Sequence, residues 1–297
     1  MAATKEIRRR IKSIKNTKKI TKAMEMVSAA KMRKSVNQAL SSRTYAQYAW
    51  YVLNSLSGAA KNHPLIKERP VKNITAILVT SDRGLCGSYN SQILKITLKE
   101  LREKDPNVNW KFVVVGKKGL AAMQRLKQDV TATFIDLPPN SSLSQTKPIS
   151  KLVIDDYING LTDKVVVLYT DYVSALKQDA QVRQLLPLSS TSLKEVIDKL
   201  SEKTPIENVE KNTEFKFEPQ KEKILPYIIE KLTHMQVYQM IIESNASEQS
   251  SRMMAMKNAT EAAGEMIGNL TLIYNKARQS AITQEISEIS AGSAAVE

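Results

Sequence analysis

From Met1 to Ser57 the sequence holds neither glycine nor proline, and Gly58 and Pro64 are the first breakers. Apolar residues recur at Ile7, Ile11, Ile14, Ile20, Met24, Val27, Met32, Val36 and Leu40, mostly three or four apart, which gathers them on one helical stripe. A helix over residues 1–60 would be about 80 Å long or more at ~1.5 Å per residue. A chain of 297 residues cannot hide such a rod in a compact globule, so the rod needs an extended partner.

The other end supplies one. No proline follows Pro226, and a stripe runs through Ile228, Leu232, Met235, Tyr238, Ile242, Asn245, Gln249, Met253, Met256, Ala259, Ala263, Ile267, Leu270, Ile273 and Ala277. Its mean step of 3.5 residues is that of a left-handed coiled coil. Asn245 and Gln249 stand where apolar residues belong; such positions fix register in a coil or face another subunit. The methionines at 24, 26, 32, 253, 254, 256 and 266 read as adaptable seam packing.

Between the ends the period changes. Residues 74–80, 111–116, 130–137 and 164–170 read as strands, and three of them are near-continuous apolar runs suited to burial on both faces. Helical patterns at 89–104, 117–128 and 146–161 separate them, and this alternation argues a parallel sheet with right-handed crossovers. Residues 181–188 offer a further strand. The expected architecture is an antiparallel coil of the terminal helices (1–60 and 220–297) plus a Rossmann-like, mainly parallel α/β domain over 70–190. Residues 191–219 make a linker ending in a short extended segment.

Charge and rare residues narrow the function. Of a net +14, the first 62 residues carry +12 and the remaining 235 only +2, so the N-terminal helix expects an acidic partner surface. One cysteine and two histidines leave no disulfide and no Cys- or His-led metal site, and suit a reducing compartment. No apolar run is long enough to span a bilayer, and the basic start runs unbroken into the first helix, so it reads as mature sequence rather than a cleaved presequence.

The turn Ser81–Ser88 (SDRGLCGS) follows the first strand, where a doubly wound sheet binds phosphate, but it lacks both G-x-G-x-x-G and a P-loop. A tight strand–helix turn explains its glycines better. Cys86 has no histidine near it in sequence and reads as an inert small side chain rather than a nucleophile. For the basic helix, a zipper-type DNA grip wants a leucine seam that residues 35–50 lack, and a membrane-surface helix wants bulkier apolar residues; an acidic protein partner remains. The tail 282–297 reads as a frayed end or as a slim tip in an apolar sleeve.

Four motifs in order carry a resemblance: Ile11–Val27 (IKSIKNTKKITKAMEMV), Asp82–Gly87 (DRGLCG), Ala246–Met253 (ASEQSSRM) and Ala277–Glu285 (ARQSAITQE). They closely resemble the gamma subunit of F-type ATP synthases over the whole chain. The resemblance implies a central-stalk rotor with no catalytic residues of its own. Its terminal helices would turn inside a ring of three alpha and three beta subunits, and its α/β domain would sit on the membrane c-ring beside the epsilon subunit. It implies that ATP, ADP and magnesium bind on alpha and beta, with no cofactor and no nucleic acid on this chain. Arg278, Gln279 and Thr283 match a cluster that contacts a beta-subunit loop. Met24, Glu248 and Arg252 match positions near the acidic lever of beta. The implied place is peripheral, on the cytoplasmic face of a bacterial cell membrane or the inner face of an organelle's energy-coupling membrane. Departures from the family fall at Phe215, where a tyrosine is common, and at Ser293, where alanine is.

Overall fold

The computed structural model describes residues 2–55, 63–103, 105–188 and 221–294; the expected linker and extended segment at 191–219 lie outside the described residues. The elements in order are α1 (Ala2–Ser55), β1 (Asn73–Val79), α2 (Tyr89–Glu103), β2 (Asn109–Val115), α3 (Lys117–Arg125), β3 (Asp129–Phe134), α4 (Leu143–Ile158), β4 (Lys164–Tyr172), β5 (Gln178–Leu186) and α5 (Lys221–Ala294). Two compact units result: residues 1–28 with 252–297, and residues 29–251.

In the first unit, α1 and α5 run antiparallel. Thr260 Oγ1 donates to Thr21 Oγ1 (2.8 Å), and a Cβ on Gly264 would lie 3.0 Å from Lys18 Nζ, so residues later in one helix meet residues earlier in the other. The α5 seam runs through Met256, Thr260, Ala263, Ile267, Leu270, Tyr274, Ala277 and Ala281 in alternating steps of four and three, the spacing of a left-handed supercoil. The α1 seam is Ile7, Ile11, Ile14, Thr21, Met24 and Ser28.

The expected stripe is corrected here. Ile20 and Val27 are 61% and 54% exposed, Ile273 is 54% exposed, and Met26 and Met266 also face outward. Small hydroxyl residues take the inner positions because they let the backbones approach, and they satisfy themselves: Thr21 Oγ1 donates to Lys18 O, and Thr260 Oγ1 also lies within reach of Met256 O.

In the second unit the strand order is β3-β2-β1-β4-β5, with β3, β2, β1 and β4 parallel and β5 antiparallel to β4. Residues 173–177 are too short a link for a parallel crossover, which needs about a dozen residues, so the last strand returns as a hairpin. The central strands bury both faces. On one side α4 and α5 supply Ile149, Val153, Tyr157, Ile229, Leu232, Val237 and Ile241; on the other, Ile93 of α2 and Met123 of α3 meet Ala76, Leu78, Phe112 and Val114. Residues 237–244 of α5 are buried all round, since Met235, Tyr238 and Ile242 pack away from the sheet against Ala39 of α1. Leu40, expected inside, is exposed beside Ala39.

Candidate functional site

At the C-terminal ends of β1, β2 and β3 the turn after β1 is bonded to its neighbours in the chain. Asp82 accepts the backbone N–H of Lys117 on Oδ1 and that of Asp136 on Oδ2, both at 3.0 Å. Its carboxylate thus stands at the N-terminus of α3, the place an anion favours. Thr80 Oγ1 accepts the N–H of Gly119 (2.8 Å) and donates to Val115 O (2.9 Å). Gly116 has φ +97°, and a Cβ there would come within 2.3 Å of Thr80 O. Cys86 is buried, with Asn90 Nδ2 donating to its Sγ at 3.2 Å.

The crevice between the ends of β1 and β4 is the switch point where an open α/β sheet takes its ligand. Here a serine face of α5 fills it. Ser244 Oγ lies 2.7 Å from Tyr89 Oη and accepts the N–H of Thr170, while Ser247 Oγ donates to Thr170 O (3.1 Å). Ser250 Oγ donates to Ala175 O (2.7 Å), and Ser251 Oγ donates to Cys86 O (2.6 Å). The hydroxyls thus bond backbone groups of β4, of the β4–β5 turn and of the turn after β1. Ser247, Ser250 and Ser251 stand in the sequence inside the ASEQSSRM motif, and their recurrence with Ser244 at three- and four-residue spacing in a buried helix is the signal that identifies the seat.

A second seat joins α1. Ser35 Oγ donates to Pro139 O (3.3 Å), as does Asn245 Nδ2 of α5 (3.2 Å). Gln38 Nε2 donates to Ser141 O (2.9 Å) and to Tyr238 Oη (2.7 Å). Asn245 therefore faces a loop of its own chain. On the α4–α5 contact, buried His234 has Nδ1 2.6 Å from Ser150 Oγ and Nε2 3.3 Å from Glu230 Oε1; burial pushes its pKa down, partly opposed by Glu230.

The residues singled out from the resemblance fall into separate places. Arg278, Gln279 and Thr283 are exposed within about two turns of α5, near the end of the seam. Met24 is half-buried; the Thr21–Thr260 register sets it opposite residue 257, about 30 Å along the helix from Arg278 at ~1.5 Å per residue. Arg252 is buried in the first unit and Glu248 is half-buried in the second. Among the described residues no three His, Cys, Asp or Glu side chains cluster as a metal site, and no helix is long and apolar enough to cross a membrane.

A family profile described as ATP synthase matches residues 3–296. The chain is 39% identical over 301 residues to the ATP synthase gamma chain of Dehalococcoides mccartyi and 40% identical over 299 residues to that of Paracidovorax citrulli, with 100% of each chain covered. A chain in the central stalk and c-ring structure of the Tetrahymena thermophila mitochondrial ATP synthase is 25% identical, covering 81% of this chain and 99% of that one, with a TM-score of 0.58. A chain of the Euglena gracilis mitochondrial ATP synthase in rotational state 3 is 18% identical, covering 99% and 95%, with a TM-score of 0.67, and shares the fold.

Proposed function

The chain belongs to the ATP synthase family as one of its gamma chains, the central-stalk subunit of an F-type enzyme, and from that premise we propose that it is a rotor with no catalytic residues of its own. ATP, ADP and magnesium stay on the alpha and beta subunits. The paired helices turn inside the ring those subunits form, and the α/β unit rides on the c-ring beside epsilon. Met24, Glu248 and Arg252 work against the acidic lever of beta, and Arg278, Gln279 and Thr283 against a beta loop above it. The chain sits peripherally, on the cytoplasmic face of a bacterial membrane.

The observation that carries this reading is the end of the seam. Ala281 is the last half-buried position of α5 among the residues whose exposure is described, yet the helix continues to Ala294 with Ile282, Ile286 and Ile289 exposed. Exposed isoleucines at four- and three-residue spacing on a helix stretch past the described seam support a surrounding sleeve supplied by other chains. The loading of Asp82 and of the serine face by the chain's own groups supports leaving nucleotide chemistry to the partners. The rotary role asks for differential contacts with the states of beta, because a partner shifts an equilibrium only by what it binds differently.

Purification of the chain with its native partners tests this. Co-elution with alpha and beta subunits, one copy of this chain per ring, is expected. ATP-driven turning of a probe on the α/β unit is expected as well. Elution alone with its own nucleotidase activity would sink the proposal.

A further inference from the structure

The loop between β3 and α4 receives hydrogen bonds from both long helices at a single backbone atom. The carbonyl oxygen of Pro139, which has two lone pairs, accepts from both Ser35 Oγ of α1 and Asn245 Nδ2 of α5. Gln38 spends both amide protons on the same junction, one on Ser141 O and one on Tyr238 Oη. Three segments some hundred residues apart in sequence therefore converge on residues 138–143.

The loop is built stiff. Asp136 is fixed by Lys117 Nζ at 2.7 Å and by Asp82, which accepts its N–H. Pro138 and Pro139 lock two φ angles, and Pro138 O accepts both the N–H and the hydroxyl of Ser141. At the far end the N–H of Ser142 donates to Gln145 Oε1 (2.8 Å), which seats the first turn of α4. Beneath the polar contacts, Leu143 packs against Ala39, Met235, Tyr238 and Ile242.

We propose that residues 138–143 are a torque clamp: the α/β unit grips α1 and α5 through this loop, so that both helices turn with the sheet rather than α5 alone. This rests on the rotor reading. The serine face and the apolar core hold α5 to the sheet directly. Ser35 and Gln38 give α1 its own hold. Without it, among the described residues, α1 would keep its packing, Ala39 against Leu143 and the side chains of α5. Ser35, Gln38 and Asn245 are positioning residues in this scheme, acting through the loop.

The test uses the assembled complex carrying Gln38→Met with Asn245→Leu, which keep the approximate length and branching of the side chains and remove the donors. Amide exchange over residues 35–41 and 136–143 should speed by about fivefold for each bond lost. In single-molecule rotation the angular spread of a probe on the α/β unit should widen while unloaded ATP hydrolysis keeps its rate. An unchanged spread in a complex that turns would overturn the clamp. A wild-type complex that never turns would instead sink the rotor reading. Should the double variant not assemble, Ser35→Ala, which removes one hydroxyl, is read in the same two assays, with the same widening expected and the same unchanged spread counting against the clamp.

Discussion

A methyl group at Gly116 would lie 2.3 Å from the carbonyl oxygen of Thr80, in a backbone conformation with φ +97° that side-chain-bearing residues rarely adopt. Neither neighbour can retreat: Thr80 is held by Val115 and Gly119, and Gly116 donates its N–H to Phe134 O. Gly116→Ala should therefore cost about 3 kcal/mol or more, read as a lowered urea midpoint of the purified chain. A loss under about 1 kcal/mol would mean the turn relaxes freely. His234 gives a pH prediction. Burial pushes its pKa below the ordinary 6.5, with Glu230 and Asp155 opposing and Lys147 adding to the shift. The unfolded chain thus binds the proton more readily, so stability is full above pH 6.5 and is lost as pH falls from there through the native value. His63 is shifted the same way by burial. His234→Gln should flatten the fall in stability between about pH 7 and 5 without abolishing it, because His63 remains. A pH profile identical to wild type would remove His234 from the account. At this scale the sequence was informative about Cys86, read as a small packing side chain and found buried. It was silent on Asp82, whose partners lie 35 and 54 residues away.

Periodicity located the helices but misread which residues meet inside them. The stripe was drawn through apolar positions, whereas α1 turns Thr21, Ser28 and Ser35 inward and leaves Ile20, Val27 and Leu40 outside. Those three hydroxyl residues repeat every seven positions after Ile7 and Ile14, so the heptad was present in the letters but written in small polar residues rather than large apolar ones. The strands were legible because unbroken apolar runs mark burial on both faces; the direction of β5 was not, since only the short link after β4 decides it. Two predictions belong to this seam. The Thr21–Thr260 pair should show a coupling of about 1 kcal/mol in a double-mutant cycle with valine at each position, measured by denaturation. Additive single effects would show that the hydroxyls act separately. Gly268, with nothing within 4 Å of a Cβ, should accept alanine and gain about 0.5–1 kcal/mol, seen as slower amide exchange along the last third of α5. Faster exchange would mean the glycine relieves a strain that its surroundings do not reveal.

For the molecule as a whole, breaker-free ends and an alternating middle showed the three-part plan, while the boundary between the two units did not show, because both α1 and α5 cross it without interruption. Charge distribution is also a property at this scale, and it supports an argument about rates. The helix through residue 28 carries Lys5, Arg8, Arg9, Arg10, Lys12, Lys15, Lys18, Lys19 and Lys22 against Glu6 and Glu25. Arg10 pairs with Glu6 and Lys22 with Glu25, both on exposed or half-exposed contacts that add little to stability. The surplus is better placed to act at a distance, as a field that would draw the helix toward a partner surface of opposite charge before any contact forms. A rotor gains from that division, since strong local ion pairs would favour one angle over the others, whereas a broad field speeds assembly without choosing an angle. Replacing Arg8, Arg9 and Lys12 with glutamine should therefore slow association with the alpha–beta ring by about tenfold at low salt and only slightly near ~0.5 M, with turnover of the finished complex little changed. Stopped-flow association across an ionic-strength series reads this directly. A loss of turnover with no change in association rate would assign these charges to specific contacts made during rotation.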